Sequence, residues 1–479
     1  MHPIPLNKDF RVEARTLDSN EWAPVLAYAT DVANANITKN EFDHHTVAVA
    51  SIDLHPTSSV EIKVCYDKCA IATARVLPTI LGVETRVQGN TITFKMSQVA
   101  DVMLEINGDK WKALHLLMNE IDVNAPTSST QDVWYFGPGL NNGQAFEKAV
   151  DGNITVPSNT SVYLASGAFV TAKFVFSGVQ NSGIQGRGFI CKDSVIHTNP
   201  CHSRELTGSA ILIEHSNNIK VHGVTSLGAR GFSLPVCQSK NIHIHRYRSF
   251  SSAGNGDGID LFCCNNVVIE NCFLRNSDDT IAIYGHRWNY HGDSSDIIIR
   301  NCVLLPDIAH GIHVGTHGNP EKPERISDIR IDNIDILDHC ENQLWYQGCV
   351  SLNAGDSNLI CDVDINNVRI EKITKGQMIN IRVMKNAMWT TEPGRGVKNI
   401  AMRNLTLNME NSVAVHPSQI LGYDATRQVE NVRFENLRVG GNLIHEGSQK
   451  PRWYMVADLV PVFINEHVKN VEFLIAPGQ

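Results

Sequence analysis

From residue 217 onward, one short pattern recurs nine times: a small polar residue, β-branched residues at alternate positions, and often an asparagine. The copies read NNIKVHGV (217–224), KNIHIHRY (240–247), NNVVIENC (265–272), SDIIIRNC (295–302), SDIRIDNI (327–334), CDVDINNV (361–368), KNIAMRNL (398–405), ENVRFENL (430–437) and KNVEFLIA (469–476). A repeat of roughly 23 to 39 residues is too short to bury its own apolar face, so successive copies must stack into a solenoid. Leucine-rich and helical repeats are excluded, because the units lack a Leu-x-x-Leu ladder and a 3.6-residue apolar spacing. What remains is short strands joined by Gly, Asn and Asp turns, coiled so that equivalent strands lie about 4.8 Å apart. That is a parallel β-helix with inward columns of Ile and Val. The asparagine recurring in ENC, RNC, DNI, NNV, RNL and ENL reads as a turn ladder whose amides satisfy backbone groups at the bends.

The first part of the chain follows a different rule. From about residue 10 to 122, short alternating runs are broken by turn-formers, as in VEIKVCY (60–66), TRVQGNTITFKM (85–96) and DVMLEING (101–108). This pattern predicts an antiparallel β-sandwich over residues 1–125. The polar stretch VNAPTSSTQ (123–131) predicts a linker, and the β-helix is expected over 132–479. A chain of 479 residues exceeds what one small core can organise, in keeping with this division.

Composition narrows the partners. A net charge of -9 without long charged blocks disfavours nucleic acid, and the HIHRYR segment (243–248) carries only two arginines. No apolar run reaches the length of a membrane span. The start, MHPIPLNKDF, lacks a charged and an apolar signal region, and the twelve cysteines show neither zinc spacing nor a tight disulfide framework. Buried thiols and a cytoplasmic location are the expectation, or an extracellular one if a signal has been removed. Oligomeric state is left open by the sequence.

The densest unexpected charge lies between 254 and 315, in GNGDGIDLFCCNNVVIENCFLRNSDDTIAIYG and PDIAHGIHVG. Asp257 stands between two glycines at a strand entrance, and Asp278 with Asp279 stands in the same situation one coil later. If the intervening residues make one turn of the helix, the three carboxylates face one groove. Crowded carboxylates cannot all ionise, so at least one pKa should rise. An acid held protonated beside a base held ionised is what cleavage of a glycosidic bond requires. Asp beside Gly is also a common turn-former. Repetition in phase with the helix favours chemistry over turns.

The segments Gly-Asp-Gly-Ile (256–259), Asp-Asp-Thr-Ile-Ala-Ile (278–283) and His-Gly-Ile-His-Val-Gly (310–315) resemble, in order, three signature blocks of the polygalacturonase family, glycoside hydrolase family 28. The resemblance runs from residue 135, with YFGPG at 135–139, to about 370. It implies a right-handed parallel β-helix and an inverting, single-displacement mechanism. On it, Asp278 is the general acid, Asp257 and Asp279 activate water, and His310 supports the site. The family's Asn-Thr-Asp is here Asn255-Gly256-Asp257, and its Gly-His-Gly is Ala309-His310-Gly311. Its Arg-Ile-Lys block, which in polygalacturonases binds the uronate carboxylate, falls near Val350-Ser351-Leu352-Asn353, without either cation. A planar arginine fork has no neutral substitute. The sandwich-plus-helix layout also resembles the dextranase and isopullulanase family, glycoside hydrolase family 49. A neutral glycan such as an α-glucan is therefore the first expectation, and a pectic galacturonide the alternative.

Sugar rings stack on aromatic faces. Tyr284, His286 and Trp288, on an irregular insertion with Tyr290 and His291, are expected to bind substrate, as are Trp345 beside Tyr346, His313 and Asn353. Exo action is a modest preference, because the 286–295 loop could close one end of the groove. No cofactor is expected. No metal is expected either: His313 and His317 on a strand would lie roughly 13 Å apart, too far to share an ion. Two other readings stand beside hydrolysis. A polysaccharide lyase would want a cationic base, for which only Arg230 and Arg275 lie nearby, and a non-catalytic glycan-binding β-helix would not need crowded carboxylates.

Overall fold

The computed structural model describes residues 4–36, 39, 41–55, 58–143, 146–192, 196, 206–447 and 462–476; the first three residues of the opening segment lie outside them. Among the described residues the regular structure is almost all strand, with one 3-10 turn at Thr79–Leu81 and no α-helix.

Two five-stranded sheets face each other over the first part of the chain. One runs Ala23–Val25, Phe10–Thr16, Val60–Tyr66, Thr91–Met96, Arg86–Gln88; the other runs Ala27–Asn36, Glu41–Leu54, Asp109–Glu120, Val102–Ile106, Ala74–Leu77. Alternation decides which residues meet: Val60, Ile62, Val64 and Tyr66 point into the core, and Glu61, Lys63 and Cys65 point away. The antiparallel expectation needs one correction. Glu41–Leu54 and Asp109–Glu120 pair in parallel, which the long stretch of chain between them permits.

Beyond Val133 the chain coils into a right-handed parallel β-helix of one twenty-stranded and one twelve-stranded sheet, with a two-stranded sheet beside them. Its repeats stack in register. Ile219, Ile242, Val267, Ile297, Ile329, Val363, Ile400, Val432 and Val471 form one column, buried in all but the last coil. The repeat asparagines explain themselves through the backbone. Asn271, Asn301, Asn333, Asn367, Asn404 and Asn436 all hold φ between 54° and 59°, a left-handed conformation that asparagine tolerates far better than β-branched residues. Their amides bond from coil to coil, as Asn333 to Asn301 (2.8 Å) and Asn436 to Asn404 (3.0 Å). The described cysteines are free thiols, and those on the helix are buried.

The sandwich lies against the helix rather than hanging from a linker. Tyr28, Val32, Val47, Val49 and Leu117 share a core with Phe169, Phe189, Phe250, Phe273 and Leu305. Two fully buried arginines lock the joint. Arg248 grips Asp101 of the sandwich with two bonds (2.7 and 2.9 Å) and also donates to Asn119. Arg275 grips Asp307 (2.9 and 3.1 Å), which Lys110 of the sandwich approaches to 3.3 Å while also meeting Asp338 at 3.1 Å. Bidentate pairing of this kind fixes orientation as well as energy. Arg275 is thereby committed to the joint, and does not face the groove as a lyase base would have to.

Candidate active site

Register alone predicts a column of functional groups at the entrance to the twelve-stranded sheet. Ile259 pairs with Ile281, Ile281 with Ile312, and Ile312 with Val350. The residues two positions earlier are Asp257, Asp279, His310 and Gly348, one per coil. Close stacking at this corner demands glycine. A Cβ on Gly256 would lie 2.4 Å from Ser277 Oγ, and one on Gly258 would lie 2.4 Å from the Thr280 carbonyl. Beneath the turn, Asn276 donates to Ser249 (3.0 Å) and Ser251 (2.9 Å), and Ser277 donates to the Ala253 carbonyl (2.6 Å). The acidic loop therefore rests on a bonded shelf.

Asp257, Asp278 and Asp279 each bring one carboxylate oxygen within 4.8 Å of the others. They line a cleft that opens to solvent. Their environments push them apart. Asp279 Oδ1 accepts from the His310 backbone N–H (2.9 Å) and from His310 Nδ1 (2.7 Å). His310 Nε2 can only donate to the Tyr346 carbonyl, 2.7 Å away, and Nδ1 faces the Asp279 carboxyl, an arrangement that favours the doubly protonated ring. Burial raises Asp279, but the His310 charge and bonds outweigh it and the net shift is down; His310 is correspondingly raised. Asp278 is pushed well above the usual carboxylate range by burial, then by Asp279 and Glu341. The cleft thus sets a carboxyl whose ionised form is favoured beside one whose protonated form is favoured.

A fourth acid completes the group. Asp260 is fully buried, and burial followed by Asp279 raises it strongly. Asp257 is raised as well, by burial first and then by Asp260. Asp257 Oδ1 and both Asp260 oxygens receive no bond from other described residues, but the two acids can share one proton between them. Asp260 could have been read from the Gly-Asp-Gly-Ile-Asp spacing, since it sits on the outward face of the strand Ile259–Phe262.

The remaining sequence expectations meet the cleft unevenly. Tyr284 lines it, stacked on Phe262 at 5.3 Å between ring centroids. His286 and Trp288 do not. Trp288 packs near Phe262 and Phe232, and His286 lies against His291. Arg287 between them lines the cleft instead, because neighbours on an extended turn point opposite ways. His313 is fully buried, bonded to Ser351, Thr316 and the Tyr346 hydroxyl, and burial pulls it down to about 3. Asn353 is also fully buried and donates to Ser351. Both sit on the outward strand face yet are fully buried, which alternation cannot reveal. Trp345 stands exposed outside the cleft walls. His317, Glu341, Tyr346 and Trp389 line the cleft, as do Ala35 and Asn36 from the end of the sandwich strand Ala27–Asn36. Tyr346 is the one that the aromatic pattern points to; nothing local in the sequence marks the others. Asp279, His310 and His313 also have the donor types of a cation site. Their hydrogen bonds already commit His310 and His313.

The sequence model of glycosyl hydrolases family 28 matches residues 141–449, more than half of the chain. An exopolygalacturonase (clone GBGE184) of Arabidopsis thaliana is 24% identical over 247 residues, covering 45% of this chain and 58% of that protein. A probable endopolygalacturonase D of Neosartorya fischeri is 23% identical over 277 residues, covering 57% of this chain and 48% of that one. This chain thus spans about half the length of the curated relatives it matches. Among solved structures, Dex49A from Penicillium minioluteum superposes with a TM-score of 0.65 at 13% identity, covering 99% of this chain and 95% of that one. That likeness shows the shared fold.

Proposed function

This chain belongs to glycosyl hydrolases family 28, and from that premise we propose that it hydrolyses glycosidic bonds of a galacturonide chain with inversion at the anomeric carbon. The observation that carries the reading is the split among three carboxyls whose oxygens lie within 4.8 Å: Asp279 held ionised by His310, Asp278 held protonated by burial and by its acidic neighbours. Asp278 gives its proton to the leaving oxygen. Asp279 takes a proton from the attacking water, and Asp257, which shares a proton with Asp260, helps to activate that water by orienting it. His310 keeps Asp279 charged and fixes its orientation. Tyr284 contributes to the cleft wall.

The spacing is tighter than the roughly 6.5–9.5 Å at which inverting pairs usually work. Stereochemistry is therefore the decisive test. Proton NMR of the first products from oligogalacturonides should show the anomer opposite to that of the bond cleaved; the same anomer would overturn the mechanism.

The names of the relatives move the substrate from the neutral glycan expected first to the galacturonide. A neutral α-glucan remains the second reading, favoured by Ser351 and Asn353 standing where the Arg-Ile-Lys block falls. Initial rates on oligogalacturonides and on α-glucans separate the two.

A further inference from the structure

If galacturonide is the substrate, its carboxylates need cationic partners, and the outward face of the twelve-stranded sheet carries one in an unexpected place. Asn353 pairs in register with Arg382 on the next coil, so a guanidinium stands one strand beyond the position where the sequence shows no cation.

Arg382 differs from the other arginines buried in this helix. Arg248 and Arg275 each hold an aspartate by two bonds. Among the described residues, Arg382 forms no ion pair. It donates one bond to the Trp345 backbone carbonyl, its Nε has no acceptor, and its guanidinium lies 5.9 Å from the Trp345 ring centroid. Burial pulls it down to about 10, with no neighbouring carboxylate to offset the effect. A half-buried charge left without a counter-ion costs free energy that an incoming anion recovers. The Trp345 ring beside it is 64% exposed, a free apolar face of the kind that stacks on a sugar ring. Trp345 directly precedes Tyr346, which lines the cleft.

We propose that Arg382 and Trp345 form a remote subsite for an acidic sugar, Trp345 taking the ring face and Arg382 the carboxylate. This rests on the galacturonide reading above. The strand Ile379–Val383 lies two coils beyond Ile312–Gly315, the strand that follows His310, or about 10 Å along the helix. Arg382 therefore meets a sugar displaced along the chain from the bond being cleaved, and contributes to binding of longer substrates without touching the reacting atoms. It also supplies a planar fork at a place where neither Ser351 nor Asn353 can.

The test is the length dependence of kinetics on unesterified oligogalacturonides, from dimer to hexamer, for the full chain and its Arg382→Gln and Arg382→Lys variants. Arg382→Gln should raise KM on the longest oligomer by about 10- to 100-fold, the worth of one charge-assisted contact, and leave kcat and the shortest cleavable substrate unchanged. Arg382→Lys should recover part of the loss, because a point charge replaces a fork. On a methyl-esterified hexamer the wild type and Arg382→Gln should have the same KM. An equal loss on every length, or an unchanged KM on the hexamer in a variant with wild-type thermal stability, overturns the subsite alone. A wild type that turns over α-glucans and no galacturonide overturns the substrate class, and the subsite with it.

Discussion

Two of the places where the β-helix buries charge treat it in opposite ways. At the joint with the sandwich, Arg248 faces Asp101, and Arg275 and Lys110 face Asp307 and Asp338. In the cleft, four aspartates crowd together, and among the described residues His310 is the positive partner that bonds directly to one of them, while Arg287 acts on Asp260 from the cleft lining. Both sets of side chains come from the same kind of position, at or beside a strand facing away from the helix core. What differs is what lies opposite. Charge neutralised across the joint becomes a fastening, and charge left crowded in the cleft raises the pKa of Asp278 while His310 lowers that of Asp279.

The largest expected effect comes from removing the crowded acid. Asp278→Asn should lower kcat by about 100- to 10,000-fold, the usual worth of a positioned general acid. Binding of the oligosaccharide should survive, as measured by calorimetry. In the wild type, turnover should fall as pH rises through the elevated pKa of Asp278, because only the protonated form can donate; the variant should lack that limb. Unchanged turnover in the variant would remove Asp278 from the role of acid.

Breaking a neutralised pair should instead cost stability. Arg275→Met leaves Asp307 fully buried with Lys110 as its remaining cation, and should destabilise the protein by about 3 kcal/mol in a urea titration. The double variant Arg275→Met/Asp307→Leu should recover most of that loss, since two well-packed apolar residues replace the pair. If the double variant is no better than the single, the pair holds the joint by more than mutual compensation.

In the cleft the sign reverses, and removing a charge should stabilise. Asp260 has its folded pKa well above the ordinary value, through burial and then Asp279. Between the unfolded and folded values the native state holds a proton that the unfolded chain has lost, so stability falls as pH rises across that window. Asp260→Asn is neutral throughout. It should raise stability at neutral pH by about 1–2 kcal/mol at the expense of activity, with the gain vanishing toward the ordinary carboxylate pKa. A gain independent of pH would show that packing, not charge, is responsible.

The smallest effect concerns backbone strain beside His310. Ala309 holds φ 69°, a left-handed conformation that costs an L-residue roughly 1 kcal/mol. Ala309→Gly should raise the melting temperature slightly, by about 0.5–1 kcal/mol of stability, with activity unchanged. A drop in activity would mean that the strain helps to aim the histidine.

Much of this could be read from the chain. The repeat fixed the stacking, because side chains alternate along a strand and only one register puts Ile and Val inside on every coil. Asp257 and the Asp278-Asp279 pair stood out because charge at the entrance to an apolar strand has few structural uses. Neighbours in space that lie far apart in sequence leave no such local mark. His313 and Asn353 occupy outward positions, yet both are fully buried, His313 against the Tyr346 hydroxyl and Asn353 bonded to Ser351. Arg287, rather than His286 or Trp288, faces the cleft because of one tight turn. Arg275 looked like a free cation near the acids until the sandwich supplied Lys110 beside its aspartate.

The sequence by itself determined the coil, its asparagine bends and the phase that brings three acids together, since each depends on local periodicity and on conformations that few residues adopt. Only the tertiary structure decided which of those acids keeps its proton, which arginines are neutralised, and that Ala35 and Asn36 of the sandwich reach the cleft wall. Those outcomes depend on burial and on charges brought within a few ångströms by distant parts of the chain, and no local pattern encodes a distance of that kind.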